Sequence, residues 1–313
     1  MTARHPSVSP ARLALVTGAA GFIGRHAARA LARDGWEVHG IGHGGWPAEE
    51  WRAWGLVRWI GTHVVAGALD AWGETPALVV HCAGGASVAM SMERPGEDFE
   101  RTVASTAAVL DYLRRRAPAS RLVLPSSAAV YGSTGLEPAK ETRPPRPESV
   151  YGFHKLQAER ICTEYGRFYG IATAAVRLFS VLGEGLRKQL LWDACGKLSR
   201  GERVFSGTGD EARDWVHVED AVDLLVRAAE HATAEGLVVN GGTGVAATVR
   251  EIVCEVASAI GSGEPAFLGS PRPGDPQRLI ADPQLAQRLG WLPRTGWRDA
   301  VRRYCEWYRS VTR

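Results

Sequence analysis

A tyrosine and a lysine four positions apart, Tyr151 and Lys155, are the residues of this chain best suited to acid–base chemistry. At this spacing two side chains lie on one face of a helix, one turn from each other. Tyrosine is a weak base because its ordinary pKa is near 10, but a nearby ammonium favours the phenolate. We therefore predict that Tyr151 takes a proton from a hydroxyl. Lys155 would favour the ionised form and also reach the ribose of a bound dinucleotide.

A serine is the third candidate for the reaction. The run Arg121–Pro125 reads as a strand and is followed directly by Ser126 and Ser127. Ligands of open α/β sheets bind beyond the carboxyl ends of the strands. Ser127 would hydrogen-bond a reacting oxygen there; the alternative is a serine that only caps the strand.

A glycine-rich turn follows the first apolar run of the chain, Leu13–Val16, and precedes residues with helical spacing. Strand, glycine turn and helix in this order are typical of a dinucleotide-binding turn. The first glycine permits the tight turn, the second lets the backbone approach a pyrophosphate, and the third lets the helix lie close to the sheet. The helix N-terminus then offers free N–H groups to the phosphates. The predicted cofactor contacts in this turn are Gly18, Gly21, Phe22, Ile23 and Gly24.

Strand and helix patterns alternate along most of the chain. Apolar runs predict strands at Leu13–Thr17, Glu37–Ile41, Leu56–Ile60, Leu78–Cys82, Leu122–Leu124, Thr173–Leu178 and Leu237–Val239. Helical spacing predicts helices over Phe22–Arg33, Phe99–Arg116 and Val218–His231, one starting near Ser149, and one between the glycine turns at Gly183 and Gly209. This alternation predicts an α/β fold with a parallel sheet and right-handed crossovers.

Three motifs in sequence order, TGAAGFIG from Thr17, SSAAVYG from Ser126 and YGFHK from Tyr151, resemble those of the extended short-chain dehydrogenase/reductase family. The nucleotide-sugar epimerase, dehydratase and reductase branch is the most similar. Further similar segments at 79–84, 213–220, 271–275 and 289–293 extend the resemblance over roughly residues 11–310. The resemblance implies a Rossmann-type doubly wound parallel sheet with a smaller α+β C-terminal substrate domain.

The resemblance also implies a division of the chain. Residues 1–10 are expected to be a disordered lead-in. Residues 11–178 with about 215–243 would form the dinucleotide-binding domain, and about 179–214 with 244–313 the substrate-binding domain.

Further site residues follow from the resemblance alone. His43 and Ala83 are expected beside the cofactor, with Tyr151 and Lys155. The expected substrate contacts are Ser127, Ser180, Gln189, Arg213 and Arg272. The two arginines fall in motifs whose arginines bind the substrate diphosphate in resembling enzymes, and guanidinium suits bidentate phosphate contact.

Two departures from the family pattern bear on the chemistry. Where an acidic residue usually binds the adenosine ribose, Gly42 and His43 stand instead. No arginine stands close by to hold a 2′-phosphate, so NAD is expected and NADP is not excluded. Where the dehydratases place an acid pair after the active-site hydroxyl, Ala128 and Ala129 stand, which argues against a dehydratase.

The function that these residues favour is oxidoreductive epimerisation of a nucleotide-diphospho-sugar through a keto-sugar intermediate, with C4 as the expected reacting carbon. The same residues would serve an NADPH-dependent reductase of a 4-keto nucleotide sugar. A non-catalytic dinucleotide-sensing regulatory protein is the alternative of another class.

Composition sets the outer bounds. A net charge of +3 is too small to indicate nucleic acid as a partner, and no apolar stretch is long enough to span a membrane. Five widely spaced cysteines match no zinc or redox motif, so we expect reduced thiols, no metal and a cytoplasmic protein.

A homodimer is also expected, because in resembling enzymes the helix after Pro95 and the helix of Tyr151 pair across a two-fold axis. The apolar residues assigned to that surface are Phe99, Val103, Thr106, Val109, Leu110, Leu113, Leu156, Ile161, Cys162 and Tyr165.

Overall fold

The structure, a computed structural model, describes residues 12–270 and 277–312, so the predicted lead-in over 1–10 lies outside it. The strands are β1 Leu13–Thr17, β2 Glu37–Gly42, β3 Arg58–Gly61, β4 Leu78–His81, β5 Arg121–Ser127, β6 Ala172–Leu178, β7 Ser180–Leu182, β8 Val204–Phe205, β9 Ala212–His217, β10 Leu237–Gly241, β11 Ala246–Thr248, β12 Ala266–Phe267 and β13 Arg278–Leu279.

Helices fill most connections between the strands. They are α1 Phe22–Arg33, α2 Ala48–Ala53, α3 Ala66–Trp72, α4 Val88–Glu93, α5 Pro95–Phe99, α6 Ser105–Arg116, α7 Val150–Tyr169, α8 Gln189–Ser199, α9 Val218–Glu230, α10 Val249–Ile260, α11 Gln284–Arg288 and α12 Trp297–Thr312. None of these helices is long and apolar enough to cross a membrane.

The main sheet has seven parallel strands in the order β10-β6-β5-β4-β1-β2-β3. Helices α1 and α9 pack on one face, and α3, α6 and α7 cover the other. The order reverses between β1 and β4, and such a switch point opens a crevice at the carboxyl edge of the sheet. The Rossmann-type doubly wound fold predicted from the sequence is confirmed.

Several predicted bounds differ from the observed ones by one to three residues. Strand β3 begins at Arg58 rather than Leu56, because the N–H of Leu56 still donates to the carbonyl of Trp51 in α2. Val57, whose N–H donates to the carbonyl of Val38 in β2 at 2.9 Å, leads into the strand. Between Gly183 and Gly209 the chain forms helix α8, as predicted, and then the short strand β8. Apolar residues in both places predict which segments are buried. Burial alone does not determine the residue at which the hydrogen bonds of a strand or helix begin.

The predicted helix over Phe99–Arg116 is interrupted by a π-helical turn at Glu100–Ala104. The hydroxyl of Ser105 donates to the carbonyl of Arg101 at 2.6 Å, and that of Thr106 donates to the carbonyl of Thr102 at 2.6 Å. These hydroxyl bonds give the carbonyls of the widened turn a partner. A π turn within a helix often marks a functional site.

Most of the apolar residues assigned to a dimer surface lie instead in the interior of the chain. The buried ones are Val103, Thr106, Val109, Leu110, Leu113, Leu156 and Cys162. Of these, Val109, Leu110, Leu113 and Cys162 pack in the core between α6, α7 and the sheet. Helical spacing identified an apolar face correctly but not the surface against which it packs.

A second, smaller core lies beyond the carboxyl edge of the sheet. It is built from α8, α10 and α12, and its fully buried members include Ile252, Val253 and Tyr304. Strand β9 pairs with β7, β11 and β13 to form a mixed four-stranded sheet beside it. This layer covers one side of the crevice.

The buried carboxylate of Asp214 joins β9 to the segments around it. One of its oxygens accepts the N–H and the hydroxyl of Thr243, at 2.7 and 2.8 Å. The other accepts the N–H groups of Gly244 and Ala281, at 2.8 and 3.2 Å. The residue that follows Arg213 is thereby fixed by four hydrogen bonds.

We predict that Asp214→Asn lowers the free energy of unfolding by about 2–3 kcal/mol, because in either orientation the new amide N–H₂ would face at least one backbone N–H, which can only donate. Urea unfolding measures this change. The exposed Asp210 is the matched control, and Asp210→Asn should stay within about 0.5 kcal/mol of the wild type. Equal effects in the two variants would contradict the role given to Asp214.

Candidate active site

A single cleft of about 1880 Å³ opens at the carboxyl edge of the main sheet and runs to the second core. It is lined by every described residue that the sequence analysis placed in a site: Gly18, Gly21, Phe22, Ile23, Gly24, His43, Ala83, Ser127, Tyr151, Lys155, Ser180, Gln189 and Arg213. Arg272 lies outside the described residues. Residues far apart in sequence thus share one cavity, as the motifs predict.

The glycine turn brings strand, helix and the neighbouring loop unusually close together. Gly18 has a φ of +63°, and a Cβ atom there would lie 2.7 Å from the backbone of Cys82 and Ala83. A Cβ on Gly24 would lie 2.3 Å from the carbonyl oxygen of Gly18. Neither position tolerates a side chain, so the two glycines allow the turn, α1 and the loop after β4 to pack closely. The N-terminus of α1 lines the cleft, where it favours an anion.

A chain of buried hydroxyl and imidazole groups holds the loop after β4. The N–H of Ala83 donates to Thr17 Oγ1 at 3.2 Å, and this hydroxyl pairs with His81 Nδ1 at 2.7 Å. The other ring nitrogen of His81 lies 3.1 Å from Thr106 Oγ1. Burial, and after it the charge of Lys155, lowers the pKa of His81 to about 3. The imidazole is therefore neutral, and it fixes the loop without adding charge to the cleft.

Helix α7 places Tyr151 and Lys155 on the wall of the cleft. The hydroxyl of Ser149 caps the helix by accepting the N–H of Gly152 at 3.1 Å, which confirms the predicted start. Lys155 is buried, and its ammonium donates to the carbonyl of Pro125 at 3.0 Å. Its Nζ lies 5.8 Å from the ring centroid of Tyr151. The ammonium thus stands between the phenol and the end of β5.

Ser127 ends strand β5 and starts a short 3₁₀ turn, Ala128–Tyr131. Its Oγ accepts the N–H of Ala129 at 3.1 Å. The cap leaves the hydroxyl hydrogen available to a ligand oxygen. The capping role and the proposed catalytic role are therefore compatible.

A buried ion pair behind these residues was missed by the sequence analysis. Arg177 of β6 donates two hydrogen bonds to the carboxylate of Glu159 on α7, at 3.0 and 2.7 Å. Ser126 of β5 also donates to this carboxylate. Burial alone would lower the pKa of Arg177, but the hydrogen bonds and charge of Glu159 raise it overall, so the guanidinium stays charged. Two features of the sequence could have predicted this pair. Arg177 is a charged residue inside an apolar strand, and Glu159 lies one turn beyond Lys155.

At the far end of the cleft lie the predicted substrate contacts. Ser180 begins β7, and Arg213 lies in β9, where its Nη1 donates to the carbonyl of Ala212 at 3.0 Å. Gln189 has a φ of +66° at the first turn of α8. A non-glycine residue in this conformation is strained, and such strain is common at ligand sites.

The adenosine end of a dinucleotide would meet two imidazoles. Gly42 ends β2 without a side chain, and the rings of His43 and His63 stack with centroids 5.7 Å apart. Both histidines are exposed and line the cleft. No carboxylate follows β2 at this point to hold ribose hydroxyls.

Within residues 12–270 and 277–312, no group of three or more histidine, cysteine or acidic side chains could hold a metal ion. All five cysteines are free thiols. Burial raises the pKa of Cys82, the one nearest the glycine turn, to about 12. That thiol is therefore protonated and a poor nucleophile.

Comparison with known proteins agrees with this geometry. Residues 14–242 match the NAD dependent epimerase/dehydratase family. A UDP-glucose 4-epimerase of Azospirillum brasilense is 31% identical over 255 residues, which cover 74% of this chain and 73% of the relative. A UDP-glucose 4-epimerase of Corynebacterium glutamicum is 30% identical over 303 residues, with 89% and 90% covered.

Solved structures give the same result for the fold. The Thermus thermophilus UDP-glucose 4-epimerase complex with NAD superposes with a TM-score of 0.86 at 30% identity, covering 96% of this chain and 100% of the other. MoeE5 in complex with UDP-glucuronic acid and NAD gives 0.84 at 31% identity, covering 95% and 99%. The chain belongs to the NAD dependent epimerase/dehydratase family, which confirms the resemblance drawn from its motifs.

We predict weak discrimination between NAD and NADP, because the chain has neither the carboxylate that rejects a 2′-phosphate nor an adjacent arginine that binds one. Calorimetric titration with both oxidised cofactors, after removal of any co-purified nucleotide, measures the ratio. A preference above roughly a hundredfold, about 2.7 kcal/mol, would contradict the prediction. If that preference were for NADP, the reductase alternative would gain support.

Proposed function

We propose that this protein is an NAD-dependent 4-epimerase of a nucleotide-diphospho-sugar. The observation that carries the proposal is the position of Tyr151, Lys155 and Ser127 on one cleft with the glycine turn of α1. Similarity to 4-epimerases of UDP-glucose and UDP-glucuronate supports C4 as the reacting carbon and a UDP-linked hexose or hexuronate as the substrate class.

The residues present fit an NAD molecule. The glycine turn and the N-terminus of α1 line the cleft, where the N–H groups at the start of the helix would bind a pyrophosphate. Lys155 Nζ lies within 3.2 Å of the position that a Cβ on Gly84 would take, so the ammonium borders the loop that would flank the nicotinamide ribose. We infer that Lys155 leaves the carbonyl of Pro125 to bind ribose hydroxyls.

Each catalytic side chain has a distinct task. Tyr151 takes the proton of the C4 hydroxyl and returns it to the product. Ser127 donates its free hydrogen to the same oxygen and orients it. NAD, when bound by these residues, would supply the hydride acceptor for oxidation at C4 and the hydride donor for reduction of the keto sugar on its other face. Lys155 favours the phenolate of Tyr151 electrostatically.

The substrate diphosphate needs cations at the other end of the cleft. We assign this task to Arg213 and Arg272, with Ser180 and Gln189 contacting the nucleotide side. In this assignment residues 11–178 with about 215–243 bind the cofactor, and about 179–214 with 244–313 bind the substrate. The substrate chemistry and the five free thiols support a cytoplasmic location.

Tyr151→Phe should leave cofactor binding intact and lower turnover by about two or more orders of magnitude, because the general base is lost. Turnover is followed as conversion between the C4 epimers of a UDP-sugar. Tyr169→Phe on the same helix is the control and should keep normal turnover. A Tyr151→Phe enzyme with near-normal turnover would remove this residue from the mechanism.

We also propose a homodimer, now on the residues that α7 leaves exposed. Phe153, Ile161 and Phe168 recur at helical spacing along one stripe of α7; Phe153 and Phe168 are 50% and 66% exposed. Phe99 at the end of α5 is 44% exposed and meets the ring of His154 beside this stripe. Two copies that align their stripes across a two-fold axis would bury these rings.

Light scattering at micromolar concentration should give the mass of two 33.7 kDa chains. Phe168→Glu should shift the mass toward one chain, because it places a charge in the apolar stripe. Leu292→Glu is the control, since Leu292 is equally exposed, at 66%, but lies away from α7. A wild-type protein with the mass of a single chain would contradict the homodimer.

A further inference from the structure

Helix α7 carries an acid–imidazole pair that the proposed reaction does not use. His154, next to Lys155 in sequence, donates from Nδ1 to the carboxylate of Asp98 on α5 at 2.6 Å. Both residues are buried, with 9% and 6% of their surface exposed. A short hydrogen bond to a carboxylate is among the stronger interactions in a protein interior.

The same carboxylate abuts the loop that follows β4. A Cβ built on Gly85 would lie 1.7 Å from Asp98 Oδ1, so only glycine fits there. The N–H of Gly85 donates to Thr102 Oγ1 at 2.8 Å. Asp98 therefore stands between helix α7 and the cofactor-side wall of the cleft, and it lines the cleft itself.

A second contact ties the neighbouring helix to α7. The N–H of Tyr151 donates to the fully buried Ser91 Oγ at 3.0 Å, and this hydroxyl donates to the carbonyl of Val88 at 2.7 Å. The segment α4–α5 is thus attached to α7 at Tyr151 through the backbone and at His154 through the side chain. These attachments lie within one turn of each other and flank the catalytic face of the helix.

We propose that Asp98 and His154 form a positioning pair that sets the rotation of α7 relative to the Gly84–Gly85 loop. The pair fixes Tyr151 against the sugar and Lys155 against the cofactor ribose without touching the reacting atoms. This proposal rests on the proposed epimerase function. Misplacement of a catalytic group by about 1 Å can cost a hundredfold in rate, which gives the pair a measurable effect on kcat.

Asp98→Asn keeps the size and one acceptor but removes the charge, and His154→Gln keeps a donor but removes the ring. Each should lower kcat by about tenfold to a hundredfold while KM for the nucleotide sugar changes by less than about threefold. The double variant should be no slower than the slower single variant, because the two residues act as one unit. Asp111→Asn on the surface of α6 is the control and should leave kcat unchanged.

Unchanged kcat in both variants, a loss confined to KM, or fully additive losses in the double variant would overturn the proposal. Should Asp98→Asn fail to fold, His154→Gln carries the same test from the other side of the pair.

Amide hydrogen exchange gives a readout that does not depend on turnover. Exchange over residues 149–156 should rise in Asp98→Asn and stay unchanged in Asp111→Asn. If the wild-type protein epimerises no nucleotide sugar, the proposed function fails. Hydrogen exchange alone then tests whether Asp98 and His154 position α7. Faster exchange in this segment supports the pair, and unchanged exchange overturns it.

Discussion

The buried ion pair of Glu159 and Arg177 connects the parts of the active site that come from different elements. Glu159 lies on α7, one turn beyond Lys155; Arg177 lies in β6, and Ser126 of β5 completes the cluster. Ser127 follows Ser126 directly. Loss of one charge of such a pair leaves the other buried and typically costs about 3–5 kcal/mol. The distance between α7 and β5 is therefore fixed by an interaction that the protein breaks only at high cost.

Arg177 also contacts Tyr131, which links the ion pair to strand β10. Its guanidinium lies 4.7 Å from the ring centroid of Tyr131, whose hydroxyl donates to Asn240 on β10 at 2.7 Å. Contacts with residues of β6 and β10 thus hold the 3₁₀ turn after Ser127 in place. These buried contacts hold one side of the cleft, and the glycine turn at Gly18 presents backbone polar groups on another. This arrangement suits a site in which a bound cofactor, rather than a side chain, accepts and returns the electrons.

The sequence predicted the fold well, because the strands of a parallel sheet are continuous apolar runs and the glycine turn has a narrow structural meaning. It also predicted which residues meet in the cleft, since Tyr151, Lys155 and Ser127 lie at strand and helix ends that the topology brings together. It did not predict the partners of Glu159 and Asp98, because both pairs join residues of different elements. The side on which Val109 and Leu110 pack could not be predicted either, since a helical apolar face fits a sheet and a second subunit equally well.

In the proposed reaction the cleft oxidises C4 reversibly, and the hydrogen of that carbon never exchanges with water. UDP-glucose, or UDP-glucuronate, with deuterium at C4 tests this claim directly in unlabelled water. We expect the C4 epimer to form and to retain the deuterium at C4. Formation of an epimer that has lost the deuterium to solvent, or no epimer from either substrate, would contradict it.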